Sequence, residues 1–247
     1  MKTAVYTMVK NEDVFLPLWL KHYSKYFKNI HVLNNNTTDG SVEKAHKKFD
    51  FTEHKITKEI NYGIEEMRNM GIDGQRMLFE KYGYDLVVFA EADEFIVADP
   101  DKYSGLDDFV LQMKSDYVFN TGKEVLQLDN EKAIDWDKPI LAQRSVWWPH
   151  PSYHKPTISK IPLNWVDGFH YLEETVGEFN NYKKRTKNMG LGEYIKAIAC
   201  PDVYMIHLQK VDWETFCNRG RFKKDKDHFH IGMGEKEKIP KKWKKIL

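Results

Sequence analysis

An apolar run that ends in a cluster of carboxylates, within residues 84–100, constrains the fold of this chain more than any other feature. The run Leu86–Ala90 is rich in β-branched and aromatic residues, which is typical of a strand buried on both faces of a parallel sheet. It stops at Glu91, Asp93 and Glu94, after which an apolar segment resumes. Carboxylates are rarely buried without a partner, and in α/β sheets ligands bind beyond the carboxyl ends of the strands. We therefore expect this acidic turn to face a binding site.

Glu91 and Asp93 are the candidate metal ligands of this turn. They are two residues apart, so on an extended chain their side chains point the same way. Two such carboxylates supply hard oxygen ligands for a divalent cation that carries substrate phosphates. The alternative is an acidic turn that faces solvent.

Alternating strand and helix patterns before residue 100 indicate an α/β fold. Their order predicts a parallel sheet with helices on its faces. After Pro100 the pattern changes to short elements and irregular segments, which we expect to cover one side of the sheet. The predicted strands are Thr3–Val9, Ile30–Leu33, Phe51–Ile56 and Leu86–Ala90, and the predicted helices are Val14–Phe27, Val42–Phe49 and Ile64–Tyr82.

The chain of 247 residues fits one domain with two functional halves. We expect a nucleotide-binding half at about 1–100, an acceptor-side half with an irregular lid at about 101–225, and a basic tail at 226–247. No internal repeat and no flexible linker separates them.

Charge and composition exclude several classes of protein. Lys and Arg number 38 against 37 Asp and Glu, so there is no basic field for a nucleic acid partner. No segment approaches the apolar length of a membrane span, and the N-terminus becomes charged too early for a signal peptide. The 2 cysteines show no CxxC spacing, which favours a reducing interior and a cytoplasmic location.

The last thirteen residues, EKEKIPKKWKKIL, combine six Lys with apolar side chains. The commoner outcome for such a segment is a solvated, partly frayed terminus. The alternative is peripheral contact with an anionic membrane surface, with Trp243, Ile246 and Leu247 as anchors.

Five segments resemble glycosyltransferases of the GT-A type, close to their family 2-like branch. The resemblance implies a Rossmann-like mixed sheet flanked by helices. It also implies transfer of a sugar from a nucleotide-diphosphate sugar, with UDP-sugar favoured, to a hydroxyl of a glycan or glycoconjugate acceptor. Mn²⁺ or Mg²⁺ on the diphosphate would be the cofactor. The segments are MVKNEDVFLPLWLKHY, VLNNNTTDGS, NYGIEEMRNMGIDGQR, VVFAEADEFIV and HLQKVDWETFCNRG.

The same resemblance implies roles for individual residues around the metal. Asp93 would be the direct ligand, and Glu91, which replaces the first Asp of the family's motif, would be a second ligand or a partner for the ribose hydroxyls. His207 would be a further ligand, with His170 as its rival.

Other residues are candidates for holding the nucleotide-sugar donor. Residues at the ends of the first two strands should face the base and ribose, and residues before the metal strand or in the later lid should face phosphate or nucleoside groups. For the first set these are Glu12, Asn34, Asn36 and Asp39, and for the second Arg68, Gln75, Arg76 and Lys155.

The stereochemical course depends on a catalytic base. An inverting enzyme needs a carboxylate that takes the proton of the acceptor hydroxyl. Asp167 is our candidate, with Glu173 or Glu174 behind it, so inversion is favoured over retention. The alternatives to a transferase are a sugar nucleotidyltransferase, which would need a glycine-rich loop that Lys10–Asp13 lacks, and a non-catalytic carbohydrate-binding or scaffold protein.

Overall fold

The computed structural model describes residues 1–56, 63–149, 153–183, 190–219 and 235–247, with the side chains of 182 and 183 excepted. The strands are β1 (Thr3–Val9), β2 (Ile30–Asn34), β3 (Thr52–Lys55), β4 (Leu86–Phe89), β5 (Glu94–Ala98), β6 (Tyr117–Phe119), β7 (Thr121–Leu126), β8 (Val146–Pro149), β9 (Pro156–Ser159), β10 (Trp165–Val166), β11 (Tyr171–Leu172), β12 (Val203–His207) and β13 (Glu237–Lys238). The α-helices are α1 (Phe15–Tyr23), α2 (Ser41–His46), α3 (Ile64–Glu80), α4 (Leu106–Gln112), α5 (Glu173–Lys183), α6 (Leu191–Ile198) and α7 (Trp213–Asn218).

The first sheet has the strand order β3-β2-β1-β4-β9-β6. Its first four strands are parallel, whereas β9 is antiparallel to both β4 and β6. The α/β fold class predicted from the sequence, a mixed sheet flanked by helices, is therefore confirmed. The segment that we expected only to cover the sheet contributes β9, which extends the sheet beyond β4.

A second sheet has the order β13-β8-β7-β12-β5. The chain leaves the first sheet at the end of β4 and enters the second at β5, so the acidic turn Glu91–Asp93 connects the two sheets. The strand predicted at Leu86–Ala90 is present as β4, and the apolar segment that follows the carboxylates forms β5 in the other sheet. Glu91 and Asp93 lie in the turn between these strands and not on the extended chain that their spacing was taken to indicate. This crossing brings the end of β4 next to the strands that surround β5.

The two faces of the first sheet bury different apolar clusters. Val5 and Val9 of β1 lie in one cluster, and Tyr6 and Met8 lie in the other, as the alternation of side chains along a strand requires. Helix α3 approaches the second face closely because Gly74 carries no side chain. A Cβ there would lie 2.6 Å from Cδ1 of Leu33, so any larger residue would force the Leu33 side chain to move.

The basic tail is folded onto the rest of the chain. Trp243 is buried, and its ring lies 5.6 Å from that of Trp147 and 4.8 Å from that of Tyr204. An anchor must be exposed to reach a lipid surface, so the predicted role of Trp243 is wrong for this fold. A short 3₁₀ helix, Lys241–Lys245, also replaces the expected frayed end. Membrane contact through the lysines stays a prediction, and no helix in the described ranges has the length and apolar character to cross a bilayer.

Candidate functional site

Acidic and basic side chains converge where β1 and β4 end. These strands are parallel neighbours, with Tyr6 opposite Phe89, so the residues that follow each strand leave the sheet at the same edge. Asn11 has a φ of 58°, a left-handed conformation that asparagine tolerates and that turns the chain sharply after β1. Glu12 follows, and its backbone carbonyl accepts a hydrogen bond from the first turn of α1. The acidic turn after β4 therefore faces Glu12.

Arg219 joins the ends of the two strands. Its Nη2 donates to Oε1 of Glu12 at 2.8 Å, and its Nη1 forms an ion pair with Oδ2 of Asp93. The guanidinium lies 4.8 Å from the ring centre of Phe15 in α1. All three charged side chains are at least nine-tenths buried. We call Arg219, Asp93 and Glu12 the Arg219 cluster.

Lys155 holds the other two carboxylates of the acidic turn. Its Nζ lies 2.6 Å from Oε2 of Glu91 and 2.5 Å from Oε1 of Glu94. The second carboxylate oxygen of Glu94 accepts a hydrogen bond from the backbone N–H of Glu91, which fixes the shape of the turn. We call Lys155, Glu91 and Glu94 the Lys155 cluster.

His207 is oriented by a carboxylate on the neighbouring strand. The register of β5, β12 and β7 aligns Glu94, His207 and Glu124 in one row. Nδ1 of His207 lies 2.5 Å from Oε2 of Glu124, and Nε2 lies 3.7 Å from Oδ2 of Asp93. The ring of Tyr153 packs on the imidazole at 4.7 Å between centres. His207 therefore faces Asp93 with its outer nitrogen.

The charges in the site shift its pKa values. Burial alone would lower the pKa of His207, but Glu124 and Asp93 outweigh burial and raise it to about 9, so the imidazole is protonated at neutral pH. Burial would raise the pKa of Glu91, whereas Lys155 holds it below its usual value. Burial raises the pKa of Glu94, and Lys155 offsets only part of this effect. The two glutamates of the Lys155 cluster therefore differ in their affinity for a proton.

Five of the residues predicted from the sequence come together here: Glu12, Glu91, Asp93, Lys155 and His207. The loop after β2 lies beside them, since Thr38 donates its backbone N–H to Oδ1 of Asn11 at 2.8 Å. Within that loop, Asn34 and Asp39 accept hydrogen bonds from nearby backbone groups, and Asn36 is exposed with a φ of 51°. Their predicted contact with the base and ribose stays a prediction.

Three predicted residues on α3 make contacts away from this cluster. Gln75 is fully buried and accepts the backbone N–H of Leu163 at 2.6 Å. Arg76 is exposed and donates to Asn164, and Arg68 lies 3.7 Å from Glu65 of its own helix. The hydrogen bond from Leu163 shows that Gln75 is a packing residue, which ties α3 to the segment before β10.

Asp167, the predicted base, lies in the turn between β10 and β11. It is exposed, its φ is 51°, and Gly168 follows with a φ of 70°. Asp and Gly both tolerate the left-handed conformation, and here they begin the turn 167–170 between the paired residues Val166 and Tyr171. The turn explains the residue pair without a catalytic role, and its role as a base stays a prediction.

Sequence reasoning missed Arg219 and Glu124. Arg219 is at the end of the segment HLQKVDWETFCNRG, which the resemblance had singled out only for its histidine. Glu124 lies in the strand TGKEVL and is fully buried. A charged residue within a strand whose neighbours are buried is a signal that we could have used, because such a carboxylate needs a partner.

The ligands predicted for a divalent cation are already engaged. Oδ2 of Asp93 and Nε2 of His207 are close enough to share an ion, but Arg219 occupies that carboxylate. Glu91 is bound to Lys155. Outside the gaps at 57–62, 150–152, 184–189 and 220–234, no three His, Cys, Asp or Glu side chains are grouped so as to hold a metal ion. In this arrangement the residues do not fit a bound cation.

Comparison with solved structures gives a likeness over part of the chain. A glucosyl-3-phosphoglycerate synthase from Mycobacterium tuberculosis, solved with Mn²⁺, UDP and glucosyl-3-phosphoglycerate, is 14% identical with a TM-score of 0.27, over 38% of this chain and 34% of that chain. A protein from Desulfovibrio desulfuricans G20, assigned as a nucleotide-diphospho-sugar transferase, is 16% identical with a TM-score of 0.29, over 50% and 59% of the two chains.

These matches cover less than two thirds of either neighbour, and at such identities and TM-scores they carry no argument about function. No protein-family model matches the chain, and no curated protein matches it.

Proposed function

We propose that this chain is a glycosyltransferase that moves a sugar from a nucleotide-diphosphate sugar, with UDP-sugar favoured, to a hydroxyl of a glycan or glycoconjugate. The observation that carries the proposal is the buried cluster of carboxylates and cationic side chains where the parallel strands β1 and β4 end. This edge of an α/β sheet is the usual place for a nucleotide. The resemblance of the acidic turn and its flanking segments to GT-A enzymes supports the same function.

The chemistry of sugar transfer requires positive charge near the diphosphate. When the glycosidic bond breaks, negative charge develops on the departing nucleoside diphosphate, and fixed cations stabilise that charge. Lys155, Arg219 and protonated His207 are three such cations in a buried site. Their carboxylate partners keep them in place and also neutralise them, so a diphosphate gains a cationic contact only where one of these pairs opens.

The acceptor side of the reaction requires a base for the attacking hydroxyl. Inversion needs a carboxylate within hydrogen-bonding distance of the attacking hydroxyl, and Asp167 remains our candidate. Dependence on Mn²⁺ or Mg²⁺ also stays a prediction of the sequence, and none of the steps described here relies on a metal.

The proposal is tested by the thermal stability of the protein with UDP, GDP and CDP, each with and without Mn²⁺. A nucleotide held 100-fold above its Kd stabilises the folded state by about 2.7 kcal/mol, which raises the Tm by about 5 °C or more for a chain of this size. We expect this rise with UDP in the presence of Mn²⁺, and we expect Asp93→Asn to abolish the part of it that depends on Mn²⁺. Asp73→Asn is the matched control, because Asp73 is exposed on α3.

Two results would contradict the proposal. No shift with any nucleotide would favour a carbohydrate-binding or scaffold protein. An unchanged shift in Asp93→Asn would place the nucleotide away from the acidic turn.

A further inference from the structure

The guanidinium of Arg219 lies where a cation between two carboxylates would lie. Glu12 follows β1 and Asp93 follows β4, and Arg219 contacts both carboxylates at once. Because these side chains are at least nine-tenths buried, solvent screens the pairs weakly. The contact is therefore a specific feature of the site rather than an exposed ion pair of little consequence.

The fit of Arg219 is incomplete. Its Nε is buried and has no hydrogen-bond partner in the described part of the chain, although Nη1 and Nη2 both have carboxylate partners. A buried donor without an acceptor costs free energy. This cost reduces the net stabilisation that the observed arrangement gains from the two ion pairs of Arg219.

His207 adds a second reason to expect exchange at Asp93. Its Nε2 lies 3.7 Å from the same oxygen, Oδ2, that Arg219 contacts. Nη1 of Arg219 and Nε2 of His207 thus face one carboxylate oxygen, and Arg219 does not form with Asp93 the bidentate pair that an arginine and a carboxylate form at their strongest.

We propose that Arg219 and a divalent cation are mutually exclusive partners of Asp93. The guanidinium holds the position between Asp93 and Glu12, and a divalent cation binds Asp93 only after Arg219 has moved away. The inference rests on the proposed function for its biological meaning. The competition of Arg219 and a divalent cation for the carboxylate of Asp93 is nevertheless measured without a nucleotide. It explains why the sequence motif predicts a metal site that the folded arrangement does not present.

The test is a titration of the full chain with Mn²⁺ alone, in which electron paramagnetic resonance measures free Mn²⁺. Arg219→Gln removes the competing charge and keeps a side chain of similar polarity. We expect Arg219→Gln to bind Mn²⁺ at least about tenfold more tightly than the wild-type protein, because it removes charge-assisted bonds to the carboxylates. Lys102→Gln is the matched control, since Lys102 forms an exposed pair with Asp202 and should leave Mn²⁺ affinity unchanged.

A second variant guards against a misfolded protein. Arg219→Lys keeps one positive charge but cannot bridge Glu12 and Asp93 with two nitrogens, so its Mn²⁺ affinity should fall between those of the wild-type protein and Arg219→Gln. The Tm of each variant is measured in parallel. If Arg219 were only a structural bridge, both variants would lose Tm without gaining affinity for Mn²⁺.

The inference is overturned by equal Mn²⁺ affinity in the wild-type protein and both Arg219 variants, by no binding in Arg219→Gln, or by an equal gain in Lys102→Gln. In a separate experiment, the wild-type protein is titrated with UDP and the binding of UDP is measured. Absence of UDP binding would refute the proposed function, whereas the Mn²⁺ arm would still decide the competition at Asp93.

Discussion

The Lys155 cluster and the Arg219 cluster use neighbouring carboxylates of the same acidic segment, Glu91 and Glu94 in the first and Asp93 in the second, yet they are built differently. Lys155 immediately precedes β9, and Glu94 is the first residue of β5, so the first cluster is fixed by both sheets. Arg219 is the residue after the short helix α7, and its Nε has no partner among the described residues. The first cluster is tied to strands of both sheets, although Glu91 keeps 25% of its side chain exposed. The second cluster joins two loops across an incomplete set of hydrogen bonds. The comparison indicates that adjacent carboxylates of one motif have separate roles, one in holding the turn and one in exchanging partners.

The largest effect is expected from breaking the Lys155 cluster. Lys155→Met leaves Glu91 and Glu94 without their cation, and Glu94 is fully buried. Removing one partner of a buried ion pair destabilises a protein by about 3–5 kcal/mol, so we expect a loss of this size in the free energy of unfolding measured with urea. Lys102→Met, which breaks an exposed pair, should cost less than about 1 kcal/mol. A loss as small as that of the control would mean that the Lys155 cluster is not structural.

A smaller effect is expected from the pH dependence of His207, which borders the Arg219 cluster. Its pKa is raised from 6.5 to about 9, so its stabilising contribution is complete below pH 6.5 and is lost as the pH rises through 9. Between pH 7 and 9.5 the free energy of unfolding should fall by about 2 kcal/mol on this account. The measurement is urea unfolding at several pH values, with His207→Gln as the comparison. Equal slopes in the two proteins would show that His207 is not held protonated by Glu124 and Asp93.

The two clusters also differ in how far the sequence predicted them. Asp93 and Glu91 were candidates because an acidic turn after an apolar strand is a local pattern, and the order of strands and helices up to β4 follows from local periodicity. Lys155 was a candidate only as a cation in the later lid that could hold phosphate, and its pairing with Glu91 and Glu94 was not predicted. Arg219 and Glu124 become partners of Asp93 and His207 only through the second sheet, where β12 pairs with β7 and β5. That register depends on long-range contacts that no local pattern contains. Burial of Trp243 against Trp147 has the same origin, which is why the tail was predicted to be free.

The smallest effect is expected from arginines outside both clusters. Arg76 is exposed on α3 and makes one hydrogen bond, to Asn164 at 3.3 Å. Arg76→Ala should therefore change the free energy of unfolding by less than about 0.5 kcal/mol and leave the UDP-induced rise in Tm intact. Arg219→Gln provides the contrast, because it alters the buried position beside Asp93. If Arg76→Ala abolished the Mn²⁺-dependent UDP effect as Asp93→Asn is expected to do, the diphosphate would reach α3, as the sequence predicted. The donor site would then extend from the acidic turn across the first sheet, and the contrast between the two clusters would no longer describe the whole of it.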